Sequence, residues 1–197
     1  QRRDGAVHLA VSPVAVAPVA VRVAGGRSLW AMSAQDQTQN AGVRYEAKVL
    51  TVSDSVVLGN RPDTSGPAVV EYLEEHGFTV VDSRVCADGS ETVANQLSSM
   101  SFNFWGIIVT AGGTGFGPRD LTPEGTVRIL DRRAYGFSEA MRATDPKGRL
   151  SRGVSGTRGS TLIMNVAGSP SASRPMLDAV IDVVPYPLDL MAGKTPD

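Results

Sequence analysis

The sequence predicts an α/β fold in which a mainly parallel sheet is covered by helices on both faces. Three observations predict it. From Arg44 onward, short apolar runs rich in β-branched residues alternate with helix-like segments, the pattern of strand-helix-strand units. Several of those runs are almost continuously apolar, as strands buried on both faces are. A glycine-rich loop then joins one such run to a helix start, at the strand end where α/β folds bind ligands.

In chain order, residues 47–52 read as a buried strand. Residues 67–76 read as a helix with Pro67 in its first turn and Gly77 past its end. Residues 78–85 are a second strand by their β-branched content, 90–100 a helix, and 105–110 a strongly apolar strand. Thr122-Pro123-Glu124 reads as a helix start, with Thr at the N-cap, Pro at N1 and an acid in the first turn. That helix is expected to run to about Arg133, with another at 138–143. Residues 161–166 form a further strand, and 174–184 a last long helix before Pro185 and Pro187.

Residues 1–43 differ from the rest and are expected to be a flexible leader, leaving 44–197 as one domain. Thirteen of the nineteen residues from Ala6 to Ala24 are Ala or Val, but Pro13, Pro18 and Arg22 interrupt the run, so it makes neither a membrane span nor one helix. A secretory signal is the rival reading, with Arg2 and Arg3 ahead of the apolar stretch. The polar run after Met32 reads instead as an ordinary cytosolic N-terminus.

Composition excludes several chemistries. Nineteen Lys plus Arg against twenty Asp plus Glu give a net charge of -1, so nucleic acid is not an expected partner, and neither is a membrane. The single Cys86 excludes an intrachain disulfide and multi-cysteine metal sites, the two histidines, His8 and His76, exclude most zinc sites, and both suit a reducing cytoplasm. Lysine is scarce, three against sixteen Arg, so phosphate chemistry must rest on backbone N–H groups, Arg or a metal ion.

The informative segment is residues 110–124, TAGGTGFGPRDLTPE. Gly112, Gly113, Thr114 and Gly115 let the chain approach a ligand and turn successive N–H groups on an anion. A glycine loop alone reads equally as a plain connection. Asp120 and Thr122 follow at once, which favours a phosphate or nucleotide site with a possible metal ligand. Pro118 stands where a dinucleotide fingerprint needs Gly, and Leu188 stands where a P-loop ending in Gly193-Lys194-Thr195 needs its first Gly.

GGTG followed by Asp120-Leu121-Thr122-Pro123-Glu124 resembles the molybdopterin adenylyltransferase family, the MogA/MoaB group that includes the G domains of plant and animal molybdenum-cofactor proteins. The resemblance runs from about Arg44 to the C-terminus and takes in Val52-Ser53-Asp54-Ser55, Asp63-Thr64-Ser65-Gly66, Leu150-Ser151-Arg152-Gly153 and Ala167-Gly168-Ser169-Pro170. It implies a three-layer α/β/α sandwich, commonly a homotrimer. The implied reaction is Mg²⁺-dependent transfer of AMP from ATP to the terminal phosphate of molybdopterin, releasing pyrophosphate. A separate molybdenum-insertion protein would act next.

By the same resemblance Asp88 and Asp120 are the two functional aspartates, for Mg²⁺ or phosphate orientation, with the direct metal ligand left open. Gly112, Gly113, Thr114, Gly115 and Thr122 are implied on the ATP side. Asp54, Ser151, Gly168 and Ser169 are implied on the pterin side. The chain departs from the family pattern at Ser55, often basic, at Ala87, usually Pro, and at Val166-Ala167-Gly168, often Leu-Pro-Gly. The alternative is a paralogue that binds pterin or nucleotide without catalysis.

Asp54, read without the resemblance, serves equally as turn former or ligand contact. His76 is expected to meet the terminal carbonyls of its helix, Cys86 and Trp105 to be core, and Asp131, Arg132 and Arg133 to form a solvated helix face.

Overall fold

The computed structural model describes residues 45–194; the expected leader lies outside them. β1 (Glu46–Val52) is followed by a one-turn helix α1 (Asp54–Val57), α2 (Ser65–Glu75), β2 (Thr79–Cys86), α3 (Ser90–Ser101), β3 (Gly106–Ala111) and α4 (Thr122–Val127). Then come β4 (Arg132–Arg133), α5 (Tyr135–Ala143), β5 (Ser155–Arg158), β6 (Thr161–Val166), α6 (Pro170–Asp178) and α7 (Pro185–Met191), with 3-10 turns at Pro146–Leu150 and Ile181–Val183. The six strands lie in the order β2-β1-β3-β6-β5-β4. The first four are parallel, and β5 and β4 add antiparallel edge strands.

Successive side chains of each central strand serve opposite faces. Val49, Ile107, Val109 and Met164 pack with Val69, Tyr72 and Leu73 of α2, Met141 of α5, and Met176 and Leu177 of α6. Their neighbours Leu50, Ile108 and Ile163 pack with Val93, Leu97 and Met100 of α3 on the other side. The result is the expected three layers. Every residue of β3 and β6 is buried, which explains their largely apolar character; Thr110, Thr161 and Asn165 are their polar residues. No helix among the described residues is long and apolar enough to cross a membrane.

Asn165, wholly buried in β6, has its amide used at both ends. Its Nδ2 donates to Thr110 Oγ1 at 2.9 Å and Thr126 Oγ1 at 3.0 Å, and its Oδ1 accepts from Val154 N–H at 3.1 Å. A buried polar group so satisfied fixes α4 and the chain before β5 against the sheet.

The structure corrects three expectations. The helix beginning near Thr122 ends at Val127, not at Arg133. Asp131 N–H turns instead to Thr157 O at 2.8 Å, and Arg132 and Arg133 pair with Thr157 and Gly156, so these charged residues are exposed on an edge strand and not on a helix. Thr122 is the first helical residue and Leu121 the N-cap; the threonine hydroxyl faces Gly113, not the α4 backbone. The long helix expected at 174–184 is not continuous: α6 starts earlier, at Pro170, contains Pro175 and stops at Asp178, a 3-10 turn covers Ile181–Val183, and Pro185 opens a separate α7, as proline's fixed φ permits at a helix start.

His76 stands as expected, and Trp105 packs against the core but is only half-buried. His76 Nδ1 lies 2.7 Å from Tyr72 O and its ring stacks on Tyr72. Trp105 packs beside Tyr45 and donates to Leu188 O at 2.8 Å. Cys86 is buried, and burial pushes its thiol pKa up to about 11.

Candidate active site

The ends of four parallel strands are level. Val52 pairs with Cys86, Thr51 with Ala111, and Ala111 with Val166, and the ladder extends one step further through Ser53 N–H to Cys86 O at 2.9 Å and Gly112 N–H to Val166 O at 3.3 Å. The residues that follow each strand are thereby delivered to one place. They enclose a cavity of about 490 Å³ lined by Asp88, by residues 112–115, by Asp120, and by Ser53, Ser55, Arg61, Gly168 and Ser169. Segments over a hundred residues apart meet there: Ser65 Oγ donates to Gly168 O.

Asp88 and Asp54 fix each other. Asp54 N–H donates to Asp88 Oδ2 at 2.7 Å and Asp88 N–H donates to Asp54 Oδ1 at 3.0 Å. Arg119 grips Asp54 through both Nε and Nη2 and donates from Nη2 to Asp88 O at 2.6 Å. That guanidinium holds the Asp54 carboxyl below the usual carboxylate range. Burial pushes the Asp88 carboxyl upward, and the Asp54 and Asp120 charges push the same way, against the lowering effect of the Asp54 N–H. Two adjacent acids thus have opposite environments, one paired with Arg119 and one turned to the cavity with no ion pair among the described residues.

The glycine loop is shaped by what it must avoid. Gly113 has φ +61, and a Cβ there would stand 2.3 Å from Thr122 Oγ1 and 3.0 Å from Asp88 Oδ1. A Cβ on Gly115 would stand 2.8 Å from Asp120 Oδ2, whose orientation is set by Gly117 N–H at 2.8 Å. Gly113 O accepts from Thr122 N–H at 3.1 Å, and the buried Thr122 Oγ1 finds no hydrogen-bond partner among the described residues. Arg152 clamps the loop from below, donating to Gly115 O at 2.6 Å, to Asp120 O and to Glu124.

Of the residues singled out from the sequence, Asp88, Gly112, Gly113, Thr114, Gly115, Asp120, Gly168 and Ser169 line this cavity. Asp54 and Thr122 stand behind that lining, against Asp88 and Gly113. Ser151 is not part of it; its Oγ accepts from Gly153 N–H at 3.2 Å. Sequence reasoning missed Arg61, Arg119 and Arg152. Arg119 and Arg152 sit inside motifs already marked, beside Asp120 and Ser151, so the signal was adjacency; Arg61 had none.

The donor set suits a hard divalent cation. Asp88 and Asp120 share the cavity, and no cluster of three or more acidic, His or Cys ligands occurs among the described residues. Two carboxylates that leave the remaining coordination to water and phosphate oxygens match the way Mg²⁺ is usually held.

Residues 48–186 match a family model described as "Probable molybdopterin binding domain". The chain is 36% identical over 153 residues to a molybdopterin adenylyltransferase of Helicobacter pylori, covering 74% of this chain and 87% of that protein. It is 34% identical over 160 residues to gephyrin of Dictyostelium discoideum, covering 74% of this chain but 22% of that one. Among solved structures, the molybdopterin biosynthesis enzyme MoaB of Thermus thermophilus matches with a TM-score of 0.72 at 40% identity, covering 76% of this chain and 98% of that one. The molybdopterin biosynthesis Mog protein of Mycobacterium ulcerans matches with a TM-score of 0.70 at 38% identity, covering 78% and 100%.

Proposed function

The chain belongs to the molybdopterin-binding-domain family of molybdenum-cofactor biosynthesis proteins, and from that premise we propose that it transfers AMP from ATP to the terminal phosphate of molybdopterin. An oxygen of the pterin phosphate attacks the α-phosphorus of ATP. The bond from that phosphorus to the bridging oxygen breaks, and pyrophosphate leaves with the electron pair.

The observation that carries this reading is the convergence of Asp88, Asp120 and the backbone of residues 112–115 on one cavity at the strand ends. Nucleotidyl transfer needs alignment and charge neutralisation and little covalent help. Asp88 and Asp120 would hold Mg²⁺, which when bound neutralises phosphate charge. The loop N–H groups orient phosphate oxygens, and Thr122 supports the loop through Gly113. Asp54 with Arg119 keeps Asp88 in its rotamer. Gly168 and Ser169 serve the pterin side; Ser151 belongs to that side by the family resemblance and stands outside the cavity lining.

We further place the protein in the cytoplasm as a homotrimer, with metal insertion carried out by a separate protein. The test of the main reading is mass-spectrometric detection of adenylylated molybdopterin from purified protein, ATP and Mg²⁺. Pterin binding without this product in the presence of both co-substrates would overturn it in favour of a non-catalytic paralogue.

A further inference from the structure

Arg61 is the one cationic side chain among the described residues that line the cavity, and its charge is not spent in an ion pair with any of them. Arg119 is paired with Asp54 and Arg152 with Glu124, whereas Arg61 forms no ion pair among the described residues. Its guanidinium is held instead by two neutral hydroxyls. Nε donates to Ser55 Oγ at 2.8 Å and Nη2 to Ser53 Oγ at 3.0 Å.

Either serine hydroxyl can donate to the other, and their lone pairs favour one sense. Ser53 Oγ accepts from Arg61 and from Val56 N–H at 3.4 Å. Both of its lone pairs are used, so its proton goes to Ser55 Oγ, 3.1 Å away. Ser55 Oγ accepts from Ser53 and from Arg61, and its own O–H is left to donate. A guanidinium carries five N–H donors; two are spent on the serines and three are left. Every unspent group in this cluster is therefore a donor, beside a full positive charge, on a cavity whose other charged lining residues are Asp88 and Asp120.

We propose that Ser55 and Arg61 form an anion subsite of this cavity that receives a phosphoryl group of a substrate, with Ser53 as the residue that orients both. The chemistry is that of a phosphate oxyanion, which a guanidinium recognises with paired N–H donors. It comes from one of two sources under the proposed function, the polyphosphate of ATP or the terminal phosphate of the pterin. The subsite deepens that proposal and rests on it for the identity of the substrates.

The test is calorimetric titration of the wild type and of Arg61→Met, Arg61→Lys and Ser55→Ala with ATP, pyrophosphate, adenosine and molybdopterin. Arg61→Met keeps length and removes charge, and is expected to weaken phosphate-bearing ligands about tenfold or more. Adenosine affinity and melting temperature should stay unchanged. Arg61→Lys should recover part of the loss, and Ser55→Ala should show a smaller one. A loss confined to ATP and pyrophosphate assigns the subsite to the nucleotide, and a loss confined to molybdopterin assigns it to the pterin; either supports it.

Equal affinities of the wild type and Arg61→Met for every phosphate ligand, whether tight or undetectable, overturn it. So does an equal loss for adenosine, which would show a merely structural role. Because binding is read without turnover, failure to form adenylylated product bears on the proposed reaction alone.

Discussion

Asp54 and Asp88 exchange backbone amides across the ends of β1 and β2, each carboxylate accepting the other's N–H, at 2.7 and 3.0 Å. The exchange uses Asp88 Oδ2 and leaves Oδ1 beside Gly113 and the cavity. Arg119 then draws Asp54 toward itself. The two acids, though adjacent, are consequently not interchangeable: one braces and the other faces the ligand.

Neutralising the acids that face the cavity tests this division. Asp88→Asn and Asp120→Asn keep shape and the amide-accepting oxygen but lose charge, so turnover should fall roughly 10²-fold or more. Circular dichroism and thermal melting should show a retained fold. Full turnover with unchanged Mg²⁺ dependence in either variant would remove that residue from the site.

Arg119 should control the titration of Asp54. The largest cause lowering the Asp54 carboxyl is its hydrogen bond from Arg119, so Arg119→Ala should move the Asp54 midpoint upward, followed by the ¹³C carboxyl shift against pH. Stability should change little, because the pair is exposed and screened. An unmoved Asp54 midpoint would contradict the assigned cause, and kcat/KM should fall as Asp88 loses its brace.

What the sequence shows and hides follows from how each feature is built. β1, β3 and β6 are legible because burial on both faces demands mainly apolar residues, and the glycine loop because close approach excludes side chains. β5, Ser155–Arg158, has no apolar run; it exists through pairing with β6 and β4. β4 is two arginines, a short charged edge of the kind that discourages further strand pairing, and charge there reads as helix surface. At the site, Asp88 and Asp120 were recognisable from motif, but Arg152 reaches Gly115 across thirty-seven residues and Arg61 meets the cavity only because α1 turns the chain back. Such placements belong to tertiary geometry.

Away from the site, Tyr72 ties α2 to α6 through its hydroxyl, which donates to Asp178 Oδ1 at 2.8 Å. Burial, then this bond and the Asp178 charge, raise the phenol well above its ordinary value of 10.0. A folded-state pKa raised above the unfolded one gives stability fully present below about pH 10 and lost as pH rises beyond it. Tyr72→Phe should therefore cost about 1 kcal/mol at pH 7 in urea unfolding. The gap to the wild type should narrow above pH 10; a constant gap from pH 7 to 11 would show that the phenol's ionisation is not linked to folding.

At Gly113 backbone shape and ligand approach are separable. Alanine there places a Cβ 2.3 Å from Thr122 Oγ1 at φ +61, so Gly113→Ala should lose on the order of 1–3 kcal/mol of stability. Thr122→Ala removes the crowding oxygen but not the positive φ. The double variant should accordingly recover part of the loss, a coupling measurable in a double-mutant cycle. Gly113→Val adds bulk that the loop cannot turn away, and should weaken both ATP and molybdopterin by steric exclusion with no change of charge. If calorimetry on the folded variant gave unchanged affinity for both ligands, residues 112–115 would be a connection shaped by Thr122 and not a phosphate cradle, whatever Asp88 and Asp120 do.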